Sequence, residues 1–179
     1  LSGGGATRIF AVSVGVPLTL NNLTLRDGYN AGDGGAILNH GTLSLIGSRF
    51  YSNSVASGFS GGAIESYGIL NVDQCEFAYN FAGNGGALFP RESSSLTTIH
   101  ASSFHDNHTT NSTNGWGGAM LVWNGAQVNM DASTSLVNNT ARSGGALYVT
   151  SVSALTLTQV YLAHNHASDA DGGALWNYG

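Results

Sequence analysis

Ten carboxylates are the residues that could give this chain hydrolytic chemistry. Cleavage of a glycosidic bond needs two carboxyl groups about 5 to 9.5 Å apart on either side of that bond. The ten are Asp27, Asp33, Glu65, Asp73, Glu76, Glu92, Asp106, Asp131, Asp169 and Asp171. Asp73 and Glu76 are close in sequence, but no two acids are adjacent, Lys is absent and the five Arg are scattered. We therefore predict no catalytic residue and interpret these acids as solvated turn and loop residues.

The six histidines raise the question of a metal site. His105-x-x-His108 and His164-x-His166 have spacings that could bring imidazoles onto one loop. The single cysteine, Cys75, joins neither pair and cannot form an internal disulfide. We predict surface histidines, no metal site and no cofactor.

Sequons and tryptophans are the remaining candidate sites. Asn-x-Ser/Thr triplets, the acceptors of N-glycosylation, start at Asn22, Asn107, Asn111 and Asn138. The tryptophans have two interpretations, as platforms for sugar rings or as aromatics that pack on their own neighbours. They are Trp116, Trp123 and Trp176.

The composition excludes several classes of partner. Only 8% of the residues are charged and the formal net charge is −5, so a basic surface for nucleic acid or anionic lipid is missing. No apolar run approaches the ~20 residues that span a bilayer, so no membrane insertion is expected. The chain also starts without the basic and apolar regions of a signal peptide, which indicates a removed signal or an internal piece.

A repeat determines which elements position these side chains. Gly-Gly-Ala followed by an apolar residue occurs six times, with glycine pairs Gly34-Gly35, Gly61-Gly62, Gly85-Gly86, Gly117-Gly118, Gly144-Gly145 and Gly172-Gly173. Successive copies are 27, 24, 32, 27 and 28 residues apart, a period typical of solenoid coils. The pair predicts a close approach of backbones where each coil re-enters its first strand.

A second motif, an aromatic residue or leucine followed three positions later by asparagine, runs in phase with the first. Its copies are Phe50 and Asn53, Phe77 and Asn80, Phe104 and Asn107, Leu136 and Asn139, and Leu162 and Asn165, with Leu25 and Gly28 as the earliest version. Because Gly replaces Asn once, we predict a positive φ, and hence a left-handed corner, at this position. The next glycine pair follows 5 to 10 positions later, so insertions are expected after the corner.

Apolar and polar residues alternate before each Phe or Leu of the second motif, which is the pattern of a half-buried strand. Only the Leu136 copy departs, because Val128 and Met130 lie one residue further back and imply a bulge or a longer turn. The position two residues before the anchor is also predicted to point inward; it holds Leu23, Ser48, Cys75, Ser102, Thr134 and Val160. We predict an all-β parallel β-helix, a single domain over residues 1–179, with about six to seven coils of 24–32 residues and three short strands per coil.

The two motifs together resemble the repeats of the chlamydial polymorphic outer-membrane proteins and related bacterial β-helix surface proteins. The resemblance covers nearly the whole chain, from about Leu18 to Gly179. It implies a right-handed coil and a secreted, extracellular or cell-surface protein, often adhesive. Such a repeat specifies a fold strongly and an activity weakly.

The expected function is therefore structural and non-catalytic, as an adhesin stalk or a head-to-tail filament subunit. No amphipathic helix is predicted to cap either end, and an uncapped coil offers its backbone to another chain. The expected partners are a second copy stacked through the terminal coils, other surface proteins, or glycans. The alternative is a carbohydrate-active enzyme (a polysaccharide lyase or hydrolase) or a carbohydrate-binding module that uses the loops at the Asn corner.

Overall fold

A computed structural model describes residues 1–110, 113–169 and 171–178. These residues form strands and turns, and none of them lies in a helix that could cross a membrane. The first three coils contain β1 (Phe10–Val12), β2 (Pro17–Asn21), β3 (Thr24–Arg26), β4 (Tyr29–Asn30), β5 (Ile37–Asn39), β6 (Thr42–Ile46), β7 (Arg49–Tyr51), β8 (Ser54–Val55), β9 (Ile64–Ser66), β10 (Ile69–Asp73), β11 (Glu76–Ala78) and β12 (Phe81–Ala82). The next three coils, and the start of a seventh, contain β13 (Leu88–Pro90), β14 (Leu96–His100), β15 (Ser103–His105), β16 (His108–Thr109), β17 (Met120–Val122), β18 (Gln127–Met130), β19 (Ser135–Val137), β20 (Thr140–Ala141), β21 (Leu147–Thr150), β22 (Ala154–Leu157), β23 (Tyr161–Ala163), β24 (His166–Ala167) and β25 (Leu175–Tyr178).

Corresponding strands of successive coils pair in parallel and form four sheets along one axis. Sheet 1 runs from β1 through every fourth strand to β25, and sheets 2, 3 and 4 start at β2, β3 and β4 with six strands each. This arrangement confirms the predicted all-β parallel β-helix. Each coil has four strands and not the predicted three, because a two-residue strand directly follows each corner and pairs with its equivalents in neighbouring coils.

The interior of the coils is a set of stacked side chains. Phe50, Phe77 and Phe104 are fully buried, and their rings are nearly parallel with centroids 4.6 and 4.7 Å apart. The alternating leucines of sheet 2 point into the same core. The irregular fifth coil keeps this register, since Val128 pairs with Thr97 and Met130 with Ile99; its extra residue lies in the turn that follows, as predicted.

The asparagines of the second motif form a buried ladder. Asn53 Nδ2 donates to Asn80 Oδ1 at 3.0 Å, and the same bond, also at 3.0 Å, continues through Asn107 and Asn139 to Asn165. Each Nδ2 also donates to a carbonyl of the preceding coil. We name these five residues the asparagine ladder.

The predicted left-handed corner is wrong by one residue. Positive φ belongs to the residue before each ladder asparagine, with 52° at Ser52, 57° at Tyr79 and 55° at Asp106. Asparagine is required at its own position because only its amide both donates to and accepts from the neighbouring coils. The first coil has Gly28, whose N–H donates to Asn53 Oδ1 at 2.8 Å and so begins the ladder.

The glycine pair at the re-entry point serves two backbone requirements. The first glycine has a positive φ, 67° at Gly34. A Cβ on the second, Gly35, would lie 2.2 Å from Ser54 O and 2.3 Å from Gly62 O, far inside contact distance. The predicted close approach is thereby confirmed.

The N-terminal residues cover part of the first coil. Gly3 N donates to Arg26 O and Arg26 N donates to Leu1 O, both at 3.0 Å, while Tyr29 N donates to Thr7 O at 3.0 Å. Leu1 to Gly3 thus pair with β3, and after a turn at residues 4–6 the chain bonds to the start of β4.

A second ladder lies between sheets 2 and 3. Ser48 N donates to Cys75 Sγ at 3.4 Å, and Cys75 N donates to Ser102 Oγ at 3.0 Å. Leu23 and Thr134 extend the series at its ends. The inward orientation predicted for this position is confirmed, and the thiol takes the place of a hydroxyl.

We expect Cys75→Ser to change the free energy of unfolding by no more than about 1 kcal/mol, because a serine oxygen can accept the same hydrogen bond as the sulfur. Cys75→Ala removes the acceptor of a buried N–H and should destabilise by about 1 to 3 kcal/mol. Urea unfolding of the two variants measures the difference. Equal stability of the two variants would contradict a hydrogen-bonding role for the thiol.

An aromatic groove as the candidate functional site

The outer face of sheet 1 carries an unusual apolar column. The residue after each Gly-Gly-Ala-apolar motif points outward, and the column reads Leu38, Glu65, Phe89, Leu121, Tyr148 and Trp176. Phe89, Leu121 and Tyr148 are buried although they face away from the core, because Trp116, Trp123 and Trp176 pack on them. We name this face, with its tryptophans, the aromatic groove.

Two tryptophans form the wall of the groove. The rings of Trp116 and Trp123 are nearly parallel with centroids 5.7 Å apart, and Trp116 stacks on Tyr148 at 5.3 Å. Trp116 ends the longest corner loop, and its backbone N–H donates to Asn84 Oδ1 at 3.2 Å. Trp123 follows β17, and its backbone forms a parallel bridge with Arg91 in the preceding coil. The backbone at both tryptophans is therefore held by adjacent coils, while their rings are held by stacking on each other and on Tyr148.

The two tryptophans separate two open clefts. Cleft A has a volume of about 500 Å³ and is lined by Trp116, Trp123, Tyr148, Asn124, Thr150 and Tyr178, among others. Cleft B has a volume of about 310 Å³ and includes Asp33, Asn84, Phe89, Arg91, Trp116 and Trp123. Because Trp116 and Trp123 line both clefts, the clefts are neighbours along the coil axis on either side of this wall. Aromatic surfaces with a few polar groups at their rim are typical of small-molecule and sugar sites.

A charged cluster lies at the cleft B end of the groove. The Glu65 side chain is only 4% exposed, and its Oε1 lies 3.3 Å from Arg91 Nη1. Burial raises the pKa of the Glu65 carboxyl to about 7; the charge of Asp33 adds to the rise, while a hydrogen bond with Tyr67 and the Arg91 charge oppose it. The Arg91 guanidinium lies over the Tyr67 and Phe89 rings, at 5.1 and 5.2 Å from their centroids.

The raised pKa of Glu65 makes stability depend on pH. Glutamate ionises near 4.5 when unfolded and Glu65 near 7 when folded, so its contribution to stability is complete below pH 4.5 and is lost as pH rises through 7. The shift corresponds to roughly 3 kcal/mol. The free energy of unfolding of Glu65→Gln, minus that of the parent, should therefore rise by about that amount as the pH goes from 4 to 8. Urea unfolding of both proteins across this range measures the difference. A stability difference that stays constant over this range would contradict the prediction.

Asp73 and Glu76, which are close in the sequence, have different neighbours in the folded chain. Asp73 pairs with Ile46 and His100, while Glu76 contacts Arg49 at 3.1 Å and His105 at 3.0 Å. Burial lowers the pKa of His105, but its hydrogen bonds to Asp106 and Glu76 outweigh this effect and leave that pKa raised.

The other histidines lie elsewhere. His108 stacks on Phe81 at 5.4 Å, and His164 and His166 are exposed. Within the described ranges, no group of three or more His, Cys, Asp or Glu residues could hold a metal ion.

The sequons differ in their environments. Asn107 is fully buried, and its Nδ2 donates to Phe77 O and to Asn139 Oδ1. The folded coil therefore leaves no room for a glycan, and the interpretation of Asn107 as a glycosylation site is wrong. Asn22 and Asn138 are exposed in turns and stay predicted sites, while Asn111 lies outside the described residues.

The groove and its charged cluster were not predicted from the sequence, because only the residues before the Phe or Leu anchors were aligned. An alignment of the residues that follow each Gly-Gly-Ala motif places Glu65 in an otherwise apolar outward column. The same alignment brings Arg91 into line with Trp123. The contact of Asp33 with this cluster depends on the path of the corner loops, which the motifs do not specify.

Comparison with known proteins gives no further assignment. No protein-family model, curated protein or solved structure matches this chain. The resemblance to chlamydial surface-protein repeats, and the coil hand that it implies, therefore stay predictions.

Proposed function

We propose that this protein is a rigid extracellular or cell-surface β-helix that binds polysaccharide, without cleaving it, through the aromatic groove. The observation that carries the proposal is the pair of stacked tryptophans, Trp116 and Trp123, between two open clefts. The faces of a sugar ring carry C–H groups that pack on aromatic rings, while its edges carry hydroxyls that need hydrogen-bonding partners. Asn124, which uses one N–H of its side-chain amide on Glu92 Oε2, and the exposed Ser151 line cleft A and carry groups of this kind.

The shape of the groove supports a polymer as the ligand. Its floor extends from Phe89 to Trp176 across four successive coils, about 14 Å at 4.8 Å per coil. Both clefts are open at the surface and share Trp116 and Trp123, so one polymer chain can contact both. The stacked phenylalanines and the asparagine ladder hold the coils in fixed register, and the groove is accordingly preorganised.

Trp123→Ala and Trp116→Ala should each weaken polysaccharide binding at least tenfold, because aromatic anchors of this kind contribute more than about 1.4 kcal/mol. Affinity electrophoresis against a panel of neutral and acidic polysaccharides, followed by calorimetry on those that bind, measures the effect. Tyr161→Ala is the matched control, since this aromatic is 63% exposed on sheet 3 and should leave binding unchanged. Melting curves show whether each variant remains folded.

The outcomes separate this proposal from its alternatives. Failure of the whole panel to bind, or binding by folded tryptophan variants equal to that of the parent, would contradict it. Release of new reducing ends or of unsaturated products from the same polysaccharides would instead favour a hydrolase or a lyase. The non-catalytic part of the proposal would then be wrong.

Head-to-tail stacking and contacts with other surface proteins stay predictions for this chain. Parallel strands continue from coil to coil throughout the described stack, so a second copy could extend the same pattern. Electron microscopy of the purified protein at neutral pH tests this. Filaments with an axial repeat near 30 Å, from six coils at about 4.8 Å, would support stacking, and dispersed particles would contradict it.

A further inference from the structure

Cleft B differs from cleft A in carrying charged groups beside its aromatic surfaces. Phe89 and Leu121 line it, with Trp116 and Trp123 as the wall shared with cleft A. Asp33 and Arg91 also line cleft B. A ligand in this cleft therefore meets aromatic surfaces together with a hydrogen-bond donor and a hydrogen-bond acceptor.

Arg91 is held in place but retains hydrogen-bonding capacity. Its Nη1 donates to Glu65 Oε1 at 3.3 Å, and its guanidinium lies over the rings of Tyr67 and Phe89. Its Nε is buried, lies 3.6 Å from Glu92 Oε1 and makes no hydrogen bond within the described part of the chain, so any donor offered to a ligand comes from the terminal Nη atoms. A guanidinium has five N–H donors, so the Glu65 contact uses only part of this capacity.

Asp33 provides the acceptor. Its Oδ1 accepts a hydrogen bond from Ser60 N at 2.6 Å, which fixes the carboxylate on the corner loop. A carboxylate has about four acceptor positions, and Asp33 lines the cleft. Arg8 donates to the backbone oxygens of Asp33 and Gly34 at 2.6 and 2.9 Å and so anchors the same segment from the coil below.

The charges around cleft B indicate which sugars fit. Three acids, Asp33, Glu65 and Glu92, interact with two cations, Arg8 and Arg91, and Glu65, with its pKa raised to about 7 by burial, is only partly ionised at neutral pH. This balance offers no excess positive charge to a uronate or sulfate group, which would add a further anion beside Asp33. Hydroxyl groups both donate and accept, and so they match a carboxylate and a guanidinium in one cleft.

We propose that cleft B is a subsite for a neutral sugar unit whose hydroxyl groups are held by Arg91 and Asp33 while its ring packs on the groove aromatics. This inference rests on the proposed function and adds the class of ligand to it. The subsite selects neutral over acidic polysaccharides, whereas the tryptophans supply binding common to many sugars.

Two conservative variants test the subsite. Asp33→Asn keeps an Oδ1 acceptor for Ser60 N and removes the charge, while Arg91→Lys keeps the charge and removes the planar fork. Each is expected to weaken binding of neutral polysaccharides such as β-glucan, xylan or galactomannan at least tenfold. Arg49→Lys is the control, since Arg49 makes a similar ion pair with Glu76 on sheet 3 and should bind as the parent does.

The possible results distinguish this inference from the proposed function. Normal binding by folded Asp33→Asn and Arg91→Lys, together with loss in Trp123→Ala, would overturn the subsite and leave groove binding in place. Normal binding by all three would overturn both. Tighter binding of polygalacturonate or alginate than of the neutral polymers would overturn the neutral class of ligand, whereas a neutral preference that both conservative variants lose is the expected result.

Discussion

Replacing Asn80 with alanine is expected to lower the free energy of unfolding by about 3 to 5 kcal/mol. The Asn80 side chain accepts hydrogen bonds from Asn53 N and Asn53 Nδ2 and donates to Phe50 O and Asn107 Oδ1, each at 3.0 Å. Alanine removes these four bonds; Asn53 N and Phe50 O lose their side-chain partner, while Asn107 Oδ1 keeps the bond from Asn80 N and Asn53 Nδ2 keeps its bond to Leu25 O. Each buried unsatisfied group costs about 1 to 3 kcal/mol, reduced where the coil relaxes or water enters. Chemical unfolding followed by circular dichroism measures the loss.

Asn71→Ala is the matched control for this experiment. Asn71 belongs to the same coil but lies exposed on the outer face of sheet 2, so its replacement should change stability by no more than about 0.5 kcal/mol. Similar effects of the two substitutions would show that the ladder bonds contribute little beyond loss of an asparagine. A loss confined to Asn80→Ala would identify the asparagine ladder as a main source of coil stability.

Phe77→Ala is expected to destabilise the protein by about 3 to 5 kcal/mol. The Phe77 ring is fully buried between Phe50 and Phe104, 4.6 and 4.7 Å from their centroids. Its removal loses buried apolar area and leaves a cavity that two rigid rings cannot fill. Thermal and urea unfolding at one pH give the magnitude.

Phe77→Leu separates loss of volume from loss of the ring stack. Leucine occupies the equivalent position in other coils, at Leu25 and Leu136, so this smaller change should cost about 1 to 2 kcal/mol. If Phe77→Leu is as damaging as Phe77→Ala, stacking rather than filled volume determines stability here. If both are mild, the coil relaxes around the site and the predicted rigidity of the core is wrong.

The fold could be predicted from the sequence because each coil repeats the same two motifs and the same alternation of apolar and polar residues. Six Gly-Gly-Ala motifs and the alternating leucines of sheet 2 appear at a fixed spacing, and parallel stacking is the arrangement that buries all of them at once. The extra residue before Leu136 was expected in a bulge or in a longer turn, and the structure places it in the turn, because Val128 and Met130 keep the register of sheet 2.

The corner was misplaced because two requirements fall on adjacent residues. Positive φ is needed at Ser52 and Tyr79, but these positions vary in type since the strain is small enough to be offset by packing. The conserved spacing of asparagine reflects the ladder one residue later. The fourth strand was missed because two residues, such as Tyr29 and Asn30, are too few to show alternation.

The groove could be predicted only in part. The three tryptophans were noted, and the packing interpretation is confirmed, since they pack on the aromatic column of sheet 1; Trp116 and Trp123 also line open clefts, and their role as sugar platforms stays a prediction. The raised pKa of Glu65 depends on the burial of a single outward residue beneath Arg91. Periodicity gives the direction in which such a side chain points and not what covers it.

The asparagine ladder also gives the rod an electrical direction. Backbone bonds between coils run both ways, as Asp27 N donates forward to Tyr51 O whereas Arg49 N donates back to Leu23 O, so their dipoles largely cancel. The first four ladder amides instead each donate one N–H to the Oδ1 of the next coil, while every ladder Nδ2 donates its other N–H back to a carbonyl of the preceding coil. Each Oδ1 from Asn80 to Asn165 thus faces the coil before it, and this row of side-chain carbonyls has its negative ends toward the first coil, a polarity that the two-way backbone bonds lack.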